Sequence, residues 1–210
     1  MPEKIVLDCD PGHDDAIAIL LAAASPAIEL LAVTTVSGNH DVEHTARNAL
    51  STCAAYGIEV PVARGSARPM VRDQVLAVEI HGETGLDGPE LPAATFELDE
   101  RHAVDLIVDT VMEHEPGTLT LVPVGPLTNI ALAARREPRI VERVKGVMCM
   151  GGELTAATSP GGGVQHLRRP ARGGRRPPGG LAGDGVRSRP SPRRSTKPAS
   201  ATWSWTRWSG

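Results

Sequence analysis

The chain has 210 residues, 40% of them hydrophobic, enough for one α/β domain with a buried core. The net charge of −3 conceals an asymmetry: residues 1–153 carry 24 acidic and 11 basic side chains, residues 154–210 one acidic and 11 basic. An acidic body offers no clustered Lys and Arg for phosphates, which excludes nucleic-acid binding as its function; only the tail is basic.

In chain order, Ile5-Val6-Leu7 is a short β-branched run that ends in acids, and Pro11-Gly12 then leads into the apolar, helix-forming stretch after Asp14 and Asp15. This predicts strand, loop, helix. Residues 29–36 predict a second strand and residues 42–56 a helix with Ala46, Ala49, Leu50 and Cys53 on one face. Pro61-Val62-Ala63 suggests a short third strand. Residues 65–100, rich in Gly, Pro and acids without a period, read as a functional loop region. A helix over 103–114, a buried strand over 118–124, a helix over 127–136 and a strand over 146–150 follow. The alternation predicts an α/β fold: a mostly parallel open sheet with helices on both faces and a Rossmann-like core.

Beyond residue 160 the pattern changes. Residues 161–210 form an Arg/Pro/Gly-rich tail with almost no apolar periodicity, which is expected to be disordered. All three tryptophans, Trp203, Trp205 and Trp208, fall in it. Cys9, Cys53 and Cys149 lack CxxC spacing and read as reduced core residues. The N-terminus carries charge inside its apolar segment and no run approaches the ~18 apolar residues of a membrane span, so the expected location is the cytoplasm, without a membrane partner.

The chemistry concentrates in Asp8-Cys9-Asp10-Pro11-Gly12-His13-Asp14-Asp15, at the carboxyl end of the first strand, where open α/β sheets bind ligands. Alternation puts Asp8 and Asp10 on one side; Asp14 and Asp15 open the helix, whose N-terminal dipole favours negative charge. Carboxylates this close repel one another unless a cation compensates. An all-oxygen set without His or Cys suits a hard ion, Ca²⁺ rather than Mg²⁺. The simpler alternative is a capped helix beside a solvated strand end.

The segment DCDPGHDDAIAILLA resembles the DxDPGxDD signature of the inosine-uridine-preferring nucleoside hydrolases, which cleave the N-glycosidic bond of ribonucleosides. Further blocks agree in order: ELLAVTTVSGN at 29–39, IHGETGLDG at 80–88, DERHAVDLIVDTVMEHEP at 99–116, LVPVGPLTNIALAARREPRIVERVK at 121–145 and MGGE at 150–153. The resemblance covers roughly residues 3–160 and implies a nucleosidase that releases ribose and a free base, cytoplasmic, commonly a homo-oligomer. It further implies Ca²⁺ bound by the Asp10 and Asp15 carboxylates and the Val124 main-chain carbonyl, with an attacking water and two ribose hydroxyls on the ion. Asp10 would be the general base, Asp14 would hydrogen-bond the ribose, and Asn39 would orient water or sugar. His81, in the 80–88 block, would contact the base or leaving group, since histidine can donate a proton near neutral pH. Thr128 and Asn129 read as turn and cap residues. His13 is given no role, and His40, His44, His102 and His114 read as ordinary surface or helix positions.

The AEFN-like ribose-binding motif that follows the MGG loop in this family, and a later calcium-binding aspartate, are not recognisable here. A one-base shift in reading near the glycine run would account for this: with synonymous codons chosen for residues 163–170, the shifted frame spells Glu-Phe-Asn-Ile-Tyr-Ala-Asp. On that reading residues 1–160 are a partial nucleoside hydrolase domain, residues 161–210 are non-homologous, and this chain is weakly active or inactive. The alternatives are a natural basic tail that binds nucleic acid or an acidic partner, and a haloacid-dehalogenase-like phosphohydrolase with a phospho-aspartate at Asp8.

Overall fold

The computed structural model of the chain describes residues 1–88, 91–92, 94 and 96–150. The expectations for the tail, its tryptophans and the last three residues of the MGGE block lie outside these residues.

Five strands form one parallel sheet: β1 (Glu3–Cys9), β2 (Ile28–Thr35), β3 (Val62–Arg64), β4 (Leu119–Pro123) and β5 (Gly146–Val147), in the order β3-β2-β1-β4-β5. Alternation along each strand divides the core. Val6, Ala32 and Ala63 face one side with Leu119 and Leu121, under the helices α4 (Ala103–Glu113), α5 (Thr128–Arg136) and the single turn α6 (Ile140–Arg143). Leu7, Cys9, Val33 and Val62 face the other, against Ile19 of α1 (His13–Ala24) and Ala49 and Cys53 of α2 (Val42–Ala55). Helices on both faces explain why the strands read as continuous apolar runs. No helix among the described residues is long and apolar enough to cross a membrane.

Two consequences of this topology position the site. β1 lies at the centre of the sheet, and the strand order reverses between β1 and β4, so the loops after these two strands face one crevice at their carboxyl ends. Val124 and Gly125, just past β4, donate backbone hydrogen bonds to the Asp8 carbonyl at 2.8 and 3.4 Å, which fastens the two loops side by side.

The structure departs from the sequence expectations in particulars. The 65–100 region contains one helical turn, α3 (Val78–His81). β5 has two residues rather than five, although the amides of Met148 and Met150 still donate to the Leu121 and Pro123 carbonyls of β4 at 2.9 and 3.1 Å. Cys149 is only half-buried, unlike Cys9 and Cys53. His40, expected at the surface, is buried.

Candidate active site

Between Cys9 and His13 the chain turns from β1 into α1 through Asp10, Pro11 and Gly12. Asp8, Asp10 and Asp15 are buried here, and Asp14 is exposed on the first turn of α1. The Asp10 amide donates to Asp15 Oδ2 at 3.2 Å.

Burial pushes the Asp8 carboxyl up to about 7 despite hydrogen bonds from Asn129 and Thr34, with the Asp15 charge adding to the rise. Asp10 lies well above the carboxylate range, first through burial and then through the Asp15 charge, although the Asn39 amide opposes the shift. Burial and the Asp14 charge raise Asp15 to about 6, against its bonds with Asp10. None of the ion pairs among the described residues reaches these three carboxylates. Asp8 Oδ2 is buried with no hydrogen-bond partner among the described residues. Buried acids without a counter-charge are costly, and a cation held by oxygen donors removes that cost. The donor set therefore fits a hard divalent ion.

Asp10 is fixed from several directions. Its Oδ2 accepts from the Asn39 amide at 2.6 Å, and its carbonyl accepts from Asn39 Nδ2 at 3.0 Å. Gly38 and Gly125 flank the carboxyl group so closely that a Cβ on either would lie 2.9 or 3.1 Å from Asp10 Cγ and nearer still to an oxygen. Asn39 thus lies against Asp10, a contact the sequence reading did not state. Val124 is half-buried in the adjoining β4 loop.

His81 is carried in from a distant segment. The 82–87 turn is held by the Asp87 carboxylate, which accepts from the amides of Glu83 and Thr84 at 3.1 and 3.0 Å. Asn48 of α2 then docks this turn onto the β1–α1 loop, its Nδ2 donating to the carbonyls of Pro11 at 3.1 Å and Thr84 at 3.0 Å. The His81 ring covers Gly12, where a Cβ would lie 2.6 Å from its Cε1. His13, given no role from the sequence, stacks on His81 with ring centroids 5.7 Å apart. Their Nδ1 atoms are 3.4 Å apart, and His13 Nε2 lies 2.8 Å from the Asp87 carbonyl oxygen. If His13 donates to that carbonyl, its Nδ1 accepts from His81.

Asn129 corrects a sequence expectation. It is no helix cap: Leu127 occupies that position, and Asn129 is fully buried. Its Nδ2 donates to Asp8 Oδ1 and to the Thr35 carbonyl, both at 2.8 Å, and its Oδ1 accepts from the Ser66 amide at 2.9 Å. With Thr34 Oγ1 donating to Asp8 Oδ1 at 2.7 Å, Asp8 is sealed in the interior. A phospho-aspartate mechanism at Asp8 has no access to its nucleophile.

Residues 5–173 match the family model for inosine-uridine preferring nucleoside hydrolase. Over 154 residues the chain is 58% identical to the inosine-uridine preferring nucleoside hydrolase of Crithidia fasciculata, covering 72% of this chain and 49% of that protein. It is 51% identical over 149 residues to the pyrimidine-specific ribonucleoside hydrolase RihB of Escherichia coli, covering 71% and 47%. Among solved structures, the purine-preferring ribonucleoside hydrolase from Gardnerella vaginalis superposes with a TM-score of 0.68 at 35% identity, over 72% of this chain and 49% of that one. The chain spans about half the length of the curated relatives it matches.

Proposed function

The chain belongs to the inosine-uridine preferring nucleoside hydrolase family, and from that premise we propose that it carries the metal- and ribose-binding half of a site that hydrolyses the N-glycosidic bond of purine or pyrimidine ribonucleosides to ribose and free base. The observation that carries this reading is the cluster of three buried carboxylates without a counter-charge, at the β1/β4 reversal of the sheet.

Asp10 and Asp15, with the Val124 carbonyl, would hold Ca²⁺. When bound, the cation supplies positive charge for ribose hydroxyls and lowers the pKa of water. Asp10 is proposed as the general base: Asn39 anchors one of its oxygens, and burial raises its affinity for a proton. Asn39 orients water or sugar from its position beside Asp10. Asp14, exposed at the first turn of α1, accepts from a ribose hydroxyl. The carboxylates stabilise a transition state with oxocarbenium character, in which the sugar gains positive charge as the base departs. His81, half-buried over Gly12, is the group proposed to contact or protonate the departing base.

Residues 1–160 are proposed to form the nucleoside hydrolase portion and residues 161–210 to stand outside it, although the family match runs on to residue 173; turnover by this chain is expected to be weak or absent. The experiment is reducing-sugar release from inosine and uridine by the full chain in excess Ca²⁺. Any release should disappear on chelation and in Asp10→Asn; release that survives Asp10→Asn would contradict the assignment of the base.

A further inference from the structure

His40, Asp41 and His44 stand together at the start of α2, just after Asn39 in the chain, and take no part in the proposed reaction. Their ligand atoms all lie within 4.8 Å of one another. His44 Nδ1 is 2.9 Å from Asp41 Oδ2, and His40 Nδ1 is 3.2 Å from the same oxygen. The two rings lie 4.0 Å apart, centroid to centroid.

The hydrogen bonding around Asp41 leaves one contact unexplained. Asp41 Oδ1 caps α2, accepting from the amides of Glu43 and His44 at 3.0 Å each. The Asp41 amide donates to His40 Nδ1 at 2.9 Å, which requires that nitrogen to be unprotonated. His40 Nδ1 therefore faces Asp41 Oδ2 at 3.2 Å as one acceptor against another. Such a contact is relieved by a positive charge beside both atoms, which a protonated His44 or a bound cation supplies. The backbone holds it in place: the His40 carbonyl accepts from Ser37 Oγ at 2.9 Å and from the Gly38 amide at 3.0 Å, and the His40 side chain is buried.

We propose that His40, Asp41 and His44 form a cation site distinct from the acid cluster, for a borderline divalent transition ion of the Zn²⁺ or Ni²⁺ kind. Two imidazoles and one carboxylate are the donors such ions prefer, whereas Ca²⁺ takes oxygen. Zinc bonds of about 2.0–2.2 Å place tetrahedral ligand atoms roughly 3.3 Å apart, close to the separations around Asp41 Oδ2. Binding displaces the proton between His44 Nδ1 and Asp41 and takes the His40 lone pair from the Asp41 amide. The fourth position is left to water or an anion.

The test is calorimetric titration of the full chain with Zn²⁺ in excess Ca²⁺, for the parent protein, Asp41→Asn and His44→Gln. Asn keeps the helix cap, and His44 is partly exposed, so both variants retain α2; circular dichroism verifies this. One Zn²⁺ per chain is expected, with affinity reduced at least about ten-fold in each variant. Undiminished affinity in either variant, no zinc binding by the parent, or displacement of zinc by Ca²⁺ overturns the site. Co²⁺ absorption of the parent chain gives an independent readout: a nitrogen-oxygen spectrum supports the site, and a thiolate charge-transfer band places the ion on cysteine and overturns it.

Discussion

Asp8 and Asp10 are two residues apart on one strand, yet the fold uses them differently. Asp8 is closed off by Thr34 and Asn129, and Asp10 stands at the mouth of the crevice under Asn39. Removing the Asn129 donor in Asn129→Ala leaves Asp8, the Thr35 carbonyl and the Ser66 amide short of partners; the expected loss is about 1–3 kcal/mol, read from urea unfolding. An unchanged midpoint would show that Asn129 is dispensable. Gly125→Ala should push the Asp10 carboxylate from its place, lowering Ca²⁺ affinity more than it lowers the unfolding midpoint, which parallel titrations and melts would compare. The acids were legible in the sequence because they are neighbours in it. Asn129 was not, because its partners Asp8, Thr35 and Ser66 are 121, 94 and 63 residues away. Burial of His40 was equally hidden, since the covering Gly85 lies in a loop without a period.

At the level of elements, α4 is the main cover of one sheet face. Ile107, fully buried in that cluster, should cost about 2–5 kcal/mol when changed to Ala, measured by thermal or urea unfolding. The approach to α4 is pinned by Arg101, which bonds Asp99 through its amide and guanidinium and reaches Asp109 on the helix. Hydrogen bonds from the Arg101 side chain hold the Asp99 carboxyl below its ordinary 3.8, outweighing the effect of burial. A depressed folded value adds stability that is complete above the unfolded value and lost as pH falls through the folded one. Asp99→Asn should therefore be less stable than the parent at neutral pH, by about 0.2–1 kcal/mol for a partly screened pair, and indistinguishable from it at pH values below the folded one. A gap that persists there would assign the effect to something other than ionisation. Long elements such as α2 and α4 were legible from apolar spacing. The single turns α3 and α6 are shorter than the helical period needs to declare itself.

For the whole molecule, alternation of strand and helix foretold a parallel sheet covered on both faces, but the order β3-β2-β1-β4-β5 is set by crossovers that no local pattern encodes. That order brings the loop after β4 alongside the β1 acids, where Val124 and Gly125, 116 and 117 residues downstream of Asp8, donate to the Asp8 carbonyl. Both segments were legible as sequence motifs, but their contact is made by topology and was not. The most direct measurement is Ca²⁺ titration of the full chain by calorimetry, beside Asp10→Asn and Asp15→Asn. The account predicts that the parent binds Ca²⁺ and that each substitution weakens binding by about ten-fold or more. Equal affinity in all three folded proteins, or none in the parent, would contradict it.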